Sequence, residues 1–309
     1  MTAEWTPLGS GFEFDRIRAI ATALGGAGRG LGDDCAFLPG GWCVSLDVSV
    51  EGVHFRREWL DPAEIGWRAA MAALSDLAAV GATAEALLVG LAAPGDEPAA
   101  VIAAIMGGVG DAARELGASV VGGDLTRARD LSLAVTVLGR ADRPVRRRGA
   151  RPGDGIWVTG SLGGARAAVA EWTAGRQPEA GPRHRFARPQ ARIAEGRRLA
   201  ELGATAMLDL SDGLGGDLRH LAAASEVGLA VELDRLPLAD EVAAAARQAG
   251  QPPEVFAAIG GEDFELLVTL PPGIDAAPLT RIGTVTPGPG VSTTLAGTEW
   301  TLAGYDHFR

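Results

Sequence analysis

The sequence predicts an α/β protein, shading into α+β, made of two units side by side. Two observations carry this. Short apolar runs rich in β-branched residues alternate with helix-like segments, and the alternation is broken once, near the middle, by a basic stretch bearing glycine and proline. A chain of 309 residues, 47% of them hydrophobic, is long enough to bury a substantial core in two ordinary domains.

In the first unit, "GWCVSLDVSV", "AEALLVGLAAP" and "DLSLAVTVLGR" read as strands by length and composition. Between them, "PAEIGWRAAMAALSDLAAVG" and "PAAVIAAIMGGVGDAARELG" read as helices, each opened near a proline and closed by a glycine. The stretch "RADRPVRRRGARPGDG" then marks a junction, giving expected units at 1–145 and 146–309. Beyond it come "GIWVTG" as a strand, "SLGGARAAVAEW" as a helix and the polar "TAGRQPEAGPRHRFARPQ" as an exposed loop. Helices at "RIAEGRRLAELG", "LGGDLRHLAAASEVG" and "DEVAAAARQAG" alternate with strands at "ATAMLDLSDG", "LAVELDRLPL" and "FELLVTLP". No short-period repeat or low-complexity tract interrupts the pattern.

Composition excludes several functions. No run approaches the roughly eighteen uncharged apolar residues of a membrane span, and "MTAEWTPLGSGFEFDR" lacks the basic and apolar regions of a signal peptide. A cytoplasmic protein without a membrane partner is expected. The two cysteines, Cys35 and Cys43, fit a reducing compartment and argue against a disulfide framework. A net charge of −11 argues against nucleic acid as a partner. Lysine is absent, so all 28 basic residues are arginine. That removes a phosphate-loop lysine, the strand lysine of protein kinases and any Schiff-base lysine. A lysine-free protein that handles phosphates must neutralise them with metals, arginines and backbone amides. Asparagine is absent too, which leaves aspartate as the short-chain metal ligand.

The aspartates recur in glycine-rich or strand-end settings: Asp33 and Asp34 in "GLGDDCAF", Asp47 in "SLDVSVEGVHF", Asp76 in "ALSDLAAVGA", Asp124 in "VVGGDLTR", and Asp209 and Asp212 in "LDLSDGLGGD". Glu262 and Asp263 come later, in "IGGEDFELL". Singly, each has a plainer explanation. "GLGDDCAF" and "VVGGDLTR" also suit turns, the latter just after a buried strand, and Asp47 with Ser45 on one strand face also suits a structural hydrogen bond. Asp76 is sharper, because Ile65, Ala69, Ala72 and Asp76 are spaced by four, three and four, which sets a carboxylate on the apolar face of a helix. Six carboxylates gathered in one place would repel one another unless cations sat among them, and an oxygen-only donor set selects magnesium or calcium over zinc or copper. Magnesium held by carboxylates, waters and phosphates points to a nucleotide. His54 is open to a substrate contact or to a structural role. Arg146, Arg147 and Arg148 could reach phosphates as charged forks or form a solvated linker.

The segments "GDDCAF", "SLDVSVEGVHF", "LSDLAAVGA", "VVGGDLTR", "RRGARPGDGIWVTG", "LDLSDGL", "GGEDFELL" and "GYDHF" together resemble the thiamine-monophosphate kinase family, in its order and over nearly the whole chain. The wider superfamily includes aminoimidazole ribonucleotide synthetase, selenophosphate synthetase and a hydrogenase maturation factor. "VEGVHF", "SDLAAVGA", "GGEDFELL" and the "GYDHF" ending pick out the thiamine-phosphate branch.

The resemblance implies an aminoimidazole ribonucleotide synthetase-like fold whose N-terminal sheet joins that of a second subunit, with active sites in the clefts of a homodimer. It implies ATP-dependent phosphorylation of thiamine phosphate to thiamine diphosphate by direct in-line transfer on several magnesium ions. By position, Asp33, Ser45, Leu46, Asp47, Asp76, Asp124, Asp209 and Asp212 match magnesium positions, Leu46 through its backbone oxygen. Asp76 and Asp212 would be the catalytic pair. Gly123, Asp124, Arg147 and Ser211 match ATP positions, and His54, Glu262 and Tyr305 match substrate positions. The chain departs from the family at Met106, where a tyrosine contacts the nucleotide, at Leu125 in place of threonine, and at Arg148 in place of serine. Methionine can still pack on an adenine ring, so altered base contact is expected rather than lost activity. The rival readings are another ATP-dependent superfamily enzyme, activating an amide or a selenide, and a non-catalytic nucleotide-binding protein. A selenide-activating enzyme would carry a cysteine near its N-terminus, and this chain does not.

Overall fold

The alternating runs pair into two sheets in the computed structural model, which describes residues 6–28 and 30–308. In the first part of the chain, α1 (Phe12–Leu24), α2 (Pro62–Ala79) and α3 (Ala99–Glu115) accompany strands β1 (Ala36–Leu38), β2 (Trp42–Val50), β3 (Ala86–Ala93), β4 (Ser119–Arg127) and β5 (Ser132–Arg140). Their order is β1-β2-β5-β3-β4, and only β3 and β4 run parallel. Residues 141–154 carry no helix or strand.

The second part holds strands β6 (Gly155–Val158), β7 (Ala206–Asp209), β8 (Gly228–Glu232), β9 (Leu266–Leu270), β10 (Thr280–Thr286), β11 (Gly290–Leu295) and β12 (Thr298–Glu299). Their order is β12-β11-β8-β10-β6-β9-β7, with β8 and β11 the parallel pair. The helices here are α4 (Gly164–Thr173), α5 (Ala180–Ala187), α6 (Ile193–Glu201), α7 (Leu214–Ser225), α8 (Val242–Gln248) and α9 (Pro253–Ala258). Both sheets are mostly antiparallel, which gives the fold its α+β character.

Helix α2 joins the two parts. Asp61 and Glu64 form a capping box at its start and Pro62 occupies its first turn, so two of the N–H groups at that end are satisfied and its backbone is preset. Alanines and glycines then let it be buried along nearly its whole length. A Cβ on Gly66 would lie 1.8 Å from the Ile105 carbonyl oxygen, and one on Gly108 1.8 Å from that of Ala63, so α2 and α3 touch backbone to backbone. On the other side a Cβ on Gly196 of α6 would lie 2.1 Å from the Ala78 carbonyl oxygen. One continuous core therefore includes Leu74 and Leu77 of α2 with Leu199 of α6 and Met207 of β7.

The outer face of the first sheet is apolar and uncovered. Leu46 and Val48 of β2 and Leu88 of β3 are exposed on it, while Ser45 and Asp47 point to the helix side. Strand β4 is exposed over its whole length and lies at the sheet edge, its outer backbone groups open for pairing.

Three expectations need correction. "TAGRQPEAGPRHRFARPQ" is not simply a loop, because α5 forms within it and buries Phe186 and Ala187. Its polar composition hides a narrow apolar face, and Arg183 is held by Glu64 in two contacts of 2.8 and 2.7 Å. "VVGGDLTR" is not a turn placed after a buried strand, since it forms most of β4 itself. Helices α1 and α9 and strands β10 to β12 are additional elements; β10 and β11 are interrupted by glycine or rich in threonine, which weakens an alternation signal.

Gly66→Ala tests the backbone contact. In a loosely packed helix it would stabilise by about 1 kcal/mol through helix propensity. Here overpacking dominates, and a net loss of about 1–3 kcal/mol is expected in urea unfolding.

Candidate functional site

A cleft of about 880 Å³ opens where the two parts meet. Asp33, Asp47, His54 and Arg68 come to its lining from the first part, Arg147 from the connecting stretch, and Ser211, Asp212, Glu262 and Tyr305 from the second.

Behind this lining, the carboxylates of Asp34, Asp76 and Asp209 place oxygens within 4.8 Å of one another. It is the one such group of three metal-ligating side chains among the described residues. Asp34 comes from the turn before β1, Asp76 from α2 and Asp209 from the end of β7. Asp76 is positioned by the Ser45 hydroxyl, which donates to its Oδ2 at 2.6 Å. Burial and the neighbouring Asp209 and Asp34 charges push the Asp76 carboxyl well above its ordinary range, and burial with Asp34 repulsion pushes Asp209 to about 7.

One guanidinium answers part of this charge. Arg147 donates to Asp34 Oδ1 through Nε at 3.1 Å and through its terminal nitrogen at 2.5 Å. Burial works against the arginine's charge, yet Asp34 holds its pKa above the ordinary value. The other oxygen, Asp34 Oδ2, is buried with no hydrogen-bond partner. Three carboxylates against one guanidinium, with an orphaned oxygen among them, fit a hard divalent cation. Of the basic triplet, Arg147 faces the carboxylates, while Arg146 stacks over the Phe37 ring at 4.4 Å and stands 4.0 Å from Asp33.

Asp33 belongs to the cleft lining rather than to the three-carboxylate group. Its oxygens accept the Arg147 backbone N–H at 2.8 Å and the Thr6 hydroxyl at 3.3 Å. Asp212, lifted to about 6 by burial and by Glu13, opens α7 together with Gly213, and its carbonyl oxygen accepts the Tyr305 N–H at 2.9 Å. Asp47 lines the cleft from β2. His54 accepts the Val50 N–H on Nδ1 at 3.1 Å, which leaves the proton of its neutral ring on Nε2. Burial lowers its pKa, favouring that neutral ring.

Segment "GGEDFELL" is locally strained, with Glu262 at φ 71 and Phe264 at φ 51. Left-handed backbone costs about 1–3 kcal/mol at a non-glycine residue and persists only where the surroundings impose it. Here the Glu262 N–H donates to the Ser211 carbonyl at 2.8 Å and the Phe264 N–H to that of Leu210 at 3.0 Å. The strain presents the Glu262 carboxylate to Arg68, its ion-pair partner. Arg68 is buried, which lowers its pKa to about 9, and its guanidinium lies 3.8 Å from the centre of the Phe186 ring. Asp263 turns inward instead and accepts the Gly163 N–H with both oxygens at 3.0 Å, a structural task.

Three expected site residues lie elsewhere. Gly123 and Asp124 are on β4, and the Leu46 side chain is on the outer sheet face. The register runs Val48, Ala134, Gly90, Asp124 across β2, β5, β3 and β4. Directly paired residues share a face, so Asp124 lies on the outer face, roughly 14 Å across the sheet from Val48. A Cβ on Gly123 would lie 2.0 Å from the Val89 carbonyl oxygen, so this glycine serves the β3–β4 contact. Met106 is half-buried against the first core, and Leu125 is exposed on β4.

Sequence reasoning passed over Asp34 as a cluster member, and Arg68 altogether. Arg68 had a signal: a charge inside the same apolar helix that singled out Asp76.

Residues 32–141 match the family model described as AIR synthase related protein, N-terminal domain, and residues 151–295 match that of the C-terminal domain. A thiamine-monophosphate kinase of Mycobacterium tuberculosis is 38% identical over 288 residues, covering 90% of this chain and 85% of its own. Thiamine monophosphate kinase from Aquifex aeolicus superposes with a TM-score of 0.83 at 32% identity, covering 93% of this chain and 97% of that one. AaThiL complexed with AMPPCP and TMP reaches 0.87, again at 32% identity, with 96% and 97% covered.

The crowded carboxylates set a pH dependence. An aspartate with a raised folded pKa makes the native state bind more protons than the unfolded one, so its cost grows from about pH 4 until the folded pKa is passed. For Asp209 that pKa is about 7. Asp209→Asn should therefore stabilise the metal-free protein, with a gain that rises between about pH 4 and 7 and then levels off. Thermal unfolding of both proteins across that range checks it; a gain independent of pH would contradict it.

Proposed function

The chain belongs to the AIR synthase related family and, within it, to the thiamine-monophosphate kinases, and from that premise we propose that it moves the terminal phosphoryl group of ATP onto thiamine phosphate, giving thiamine diphosphate. The observation that carries this reading is the meeting of Asp34, Asp76 and Asp209 beside a cleft large enough for two substrates. A relative complexed with AMPPCP, a non-hydrolysable relative of ATP, and with TMP supports the choice of both.

Magnesium is the cation that suits these oxygen donors. Several magnesium ions would share as ligands Asp33, Asp47, Asp76, Asp209 and Asp212, the Ser45 hydroxyl and the Leu46 carbonyl, with Asp34 added because of its orphaned oxygen. When bound, the metal supplies charge neutralisation between two polyanions, which is what in-line transfer needs. The acceptor phosphate is already anionic, so no residue has to act as a strong base. Asp76 and Asp212 are the carboxylates on which turnover depends most. Arg147 and Ser211 face the nucleotide, Arg147 also keeping Asp34 in place. His54, Glu262 and Tyr305 hold the thiamine phosphate, His54 offering its Nε2 proton and Glu262 braced by Arg68.

Asp124 and Gly123 enter this scheme through a second subunit. Within one chain Asp124 lies on the wrong sheet face, while the same face is apolar and β4 has an open edge. A homodimer formed across that surface would bring the Asp124 of one subunit to the cleft of the other. Residues 1–145 then supply the dimer contact and most metal ligands, and residues 146–309 complete each site.

Purified protein given Mg-ATP and thiamine phosphate should form thiamine diphosphate, and a chelator should abolish it. Asp76→Asn and Asp212→Asn should each cut turnover by a hundredfold or more, of order 3 kcal/mol in the barrier, with folding intact. Normal turnover in both would remove the metal assignment. Co-expressed Asp76→Asn and Asp124→Asn chains test the shared site. Random pairing into dimers leaves about a quarter of the sites whole if the two residues come from different subunits, so about a quarter of normal activity should return. No recovery would place Asp124 outside the partner's site.

A further inference from the structure

We infer that Trp59 is the platform on which the positively charged ring of the acceptor stacks, an inference that rests on thiamine phosphate being that acceptor. Trp59 lies in the cleft wall with His54 and Arg68, on the connection between β2 and α2. Its ring is clamped from the second part of the chain. Trp172 of α4 stacks on one face, with centroids 4.9 Å apart and planes 5° from parallel, and Phe186 of α5 meets both indoles edge-on at 6.2 and 5.4 Å. Phe186 in turn carries Arg68, the partner of Glu262, so the aromatic cluster and the proposed acceptor carboxylate form one rigid wall.

Trp59 already attracts a cation. The Arg56 guanidinium lies 5.0 Å from its centroid, on an exposed side chain that also lines the cleft and whose contact with Glu58 is a loose 3.7 Å. Such a cation is displaceable. A thiazolium ring is flat, aromatic and positively charged, and it can take the place of the guanidinium while adding stacking area; indole is the best of the aromatic side chains for this contact. Phe186 and Phe264 in the same wall also face a guanidinium, but it is that of Arg68, which is buried and paired with Glu262, so it is the Trp59 cation that a ligand can displace. Trp59 thus selects the organic part of the acceptor, whereas the carboxylates serve its phosphate through metal.

The test is calorimetric binding of thiamine phosphate, and of its isostere with a neutral thiophene ring, to the wild type, Trp59→Ala and Trp59→Phe, all with magnesium and a non-hydrolysable ATP analogue. Wild type should prefer the cationic ligand by about tenfold. Trp59→Ala should lose that preference, Trp59→Phe should keep part of it, and affinity for the ATP analogue should not change. Equal preference in all three proteins would overturn the platform and leave the acceptor reading standing. Failure of wild type to bind thiamine phosphate at all would overturn both. If Trp59→Ala does not fold, the partial loss in Trp59→Phe decides alone, because its smaller ring keeps the packing but weakens the cation contact.

Discussion

The structure turns on the repulsion among Asp34, Asp76 and Asp209. Each comes from a different element, and two of them are pushed far above the ordinary carboxylate range by burial and by one another. Left to themselves they would move apart or stay protonated. They are instead held by the Ser45 hydroxyl on Asp76, by the Arg147 fork on Asp34, and by the end of a buried strand under Asp209. A folded protein retains such an arrangement when a ligand repays it, and a divalent cation is the ligand whose charge matches.

Holding them demands a rigid frame, which is the work of α2. Its glycines and alanines let α3 and α6 approach to backbone contact, so the helix cannot shift without unpacking two neighbours. Asp76 near its end and Arg68 near its start are then fixed relative to each other. The same rigid body sets the carboxylate cluster and the Arg68–Glu262 pair, the latter beside the aromatic wall of Trp59, Trp172 and Phe186. In the proposed function, phosphate chemistry and recognition of the organic substrate are thereby tied to one helix.

Much of this is legible in the sequence because charge in an apolar pattern is a strong signal. Asp76 could be singled out from spacing alone, and Asp209 and Asp212 from their leucine and glycine surroundings. Adjacent aspartates are another matter: choosing between Asp33 and Asp34 depends on which carboxylate the turn rotates toward Arg147, and spacing is blind to that. Asp124 shows a different limit. A motif names a candidate residue but not the sheet face it occupies, and only the register across β2, β5, β3 and β4 reveals that it sits on the outer face. Helix α5 was hidden because its burial rests on Phe186 and on arginine pairs to distant acids, neither visible in local hydrophobicity.

Whether the three carboxylates hold a divalent cation is read most directly by magnesium titration of the metal-free protein at about pH 8, followed by calorimetry and by proton release into a weakly buffered solution. Binding accompanied by proton release that fades as the pH is raised further is the predicted result, since the cation must displace protons held by carboxylates of raised pKa. Absence of magnesium binding, both with and without a non-hydrolysable ATP analogue, would contradict the account.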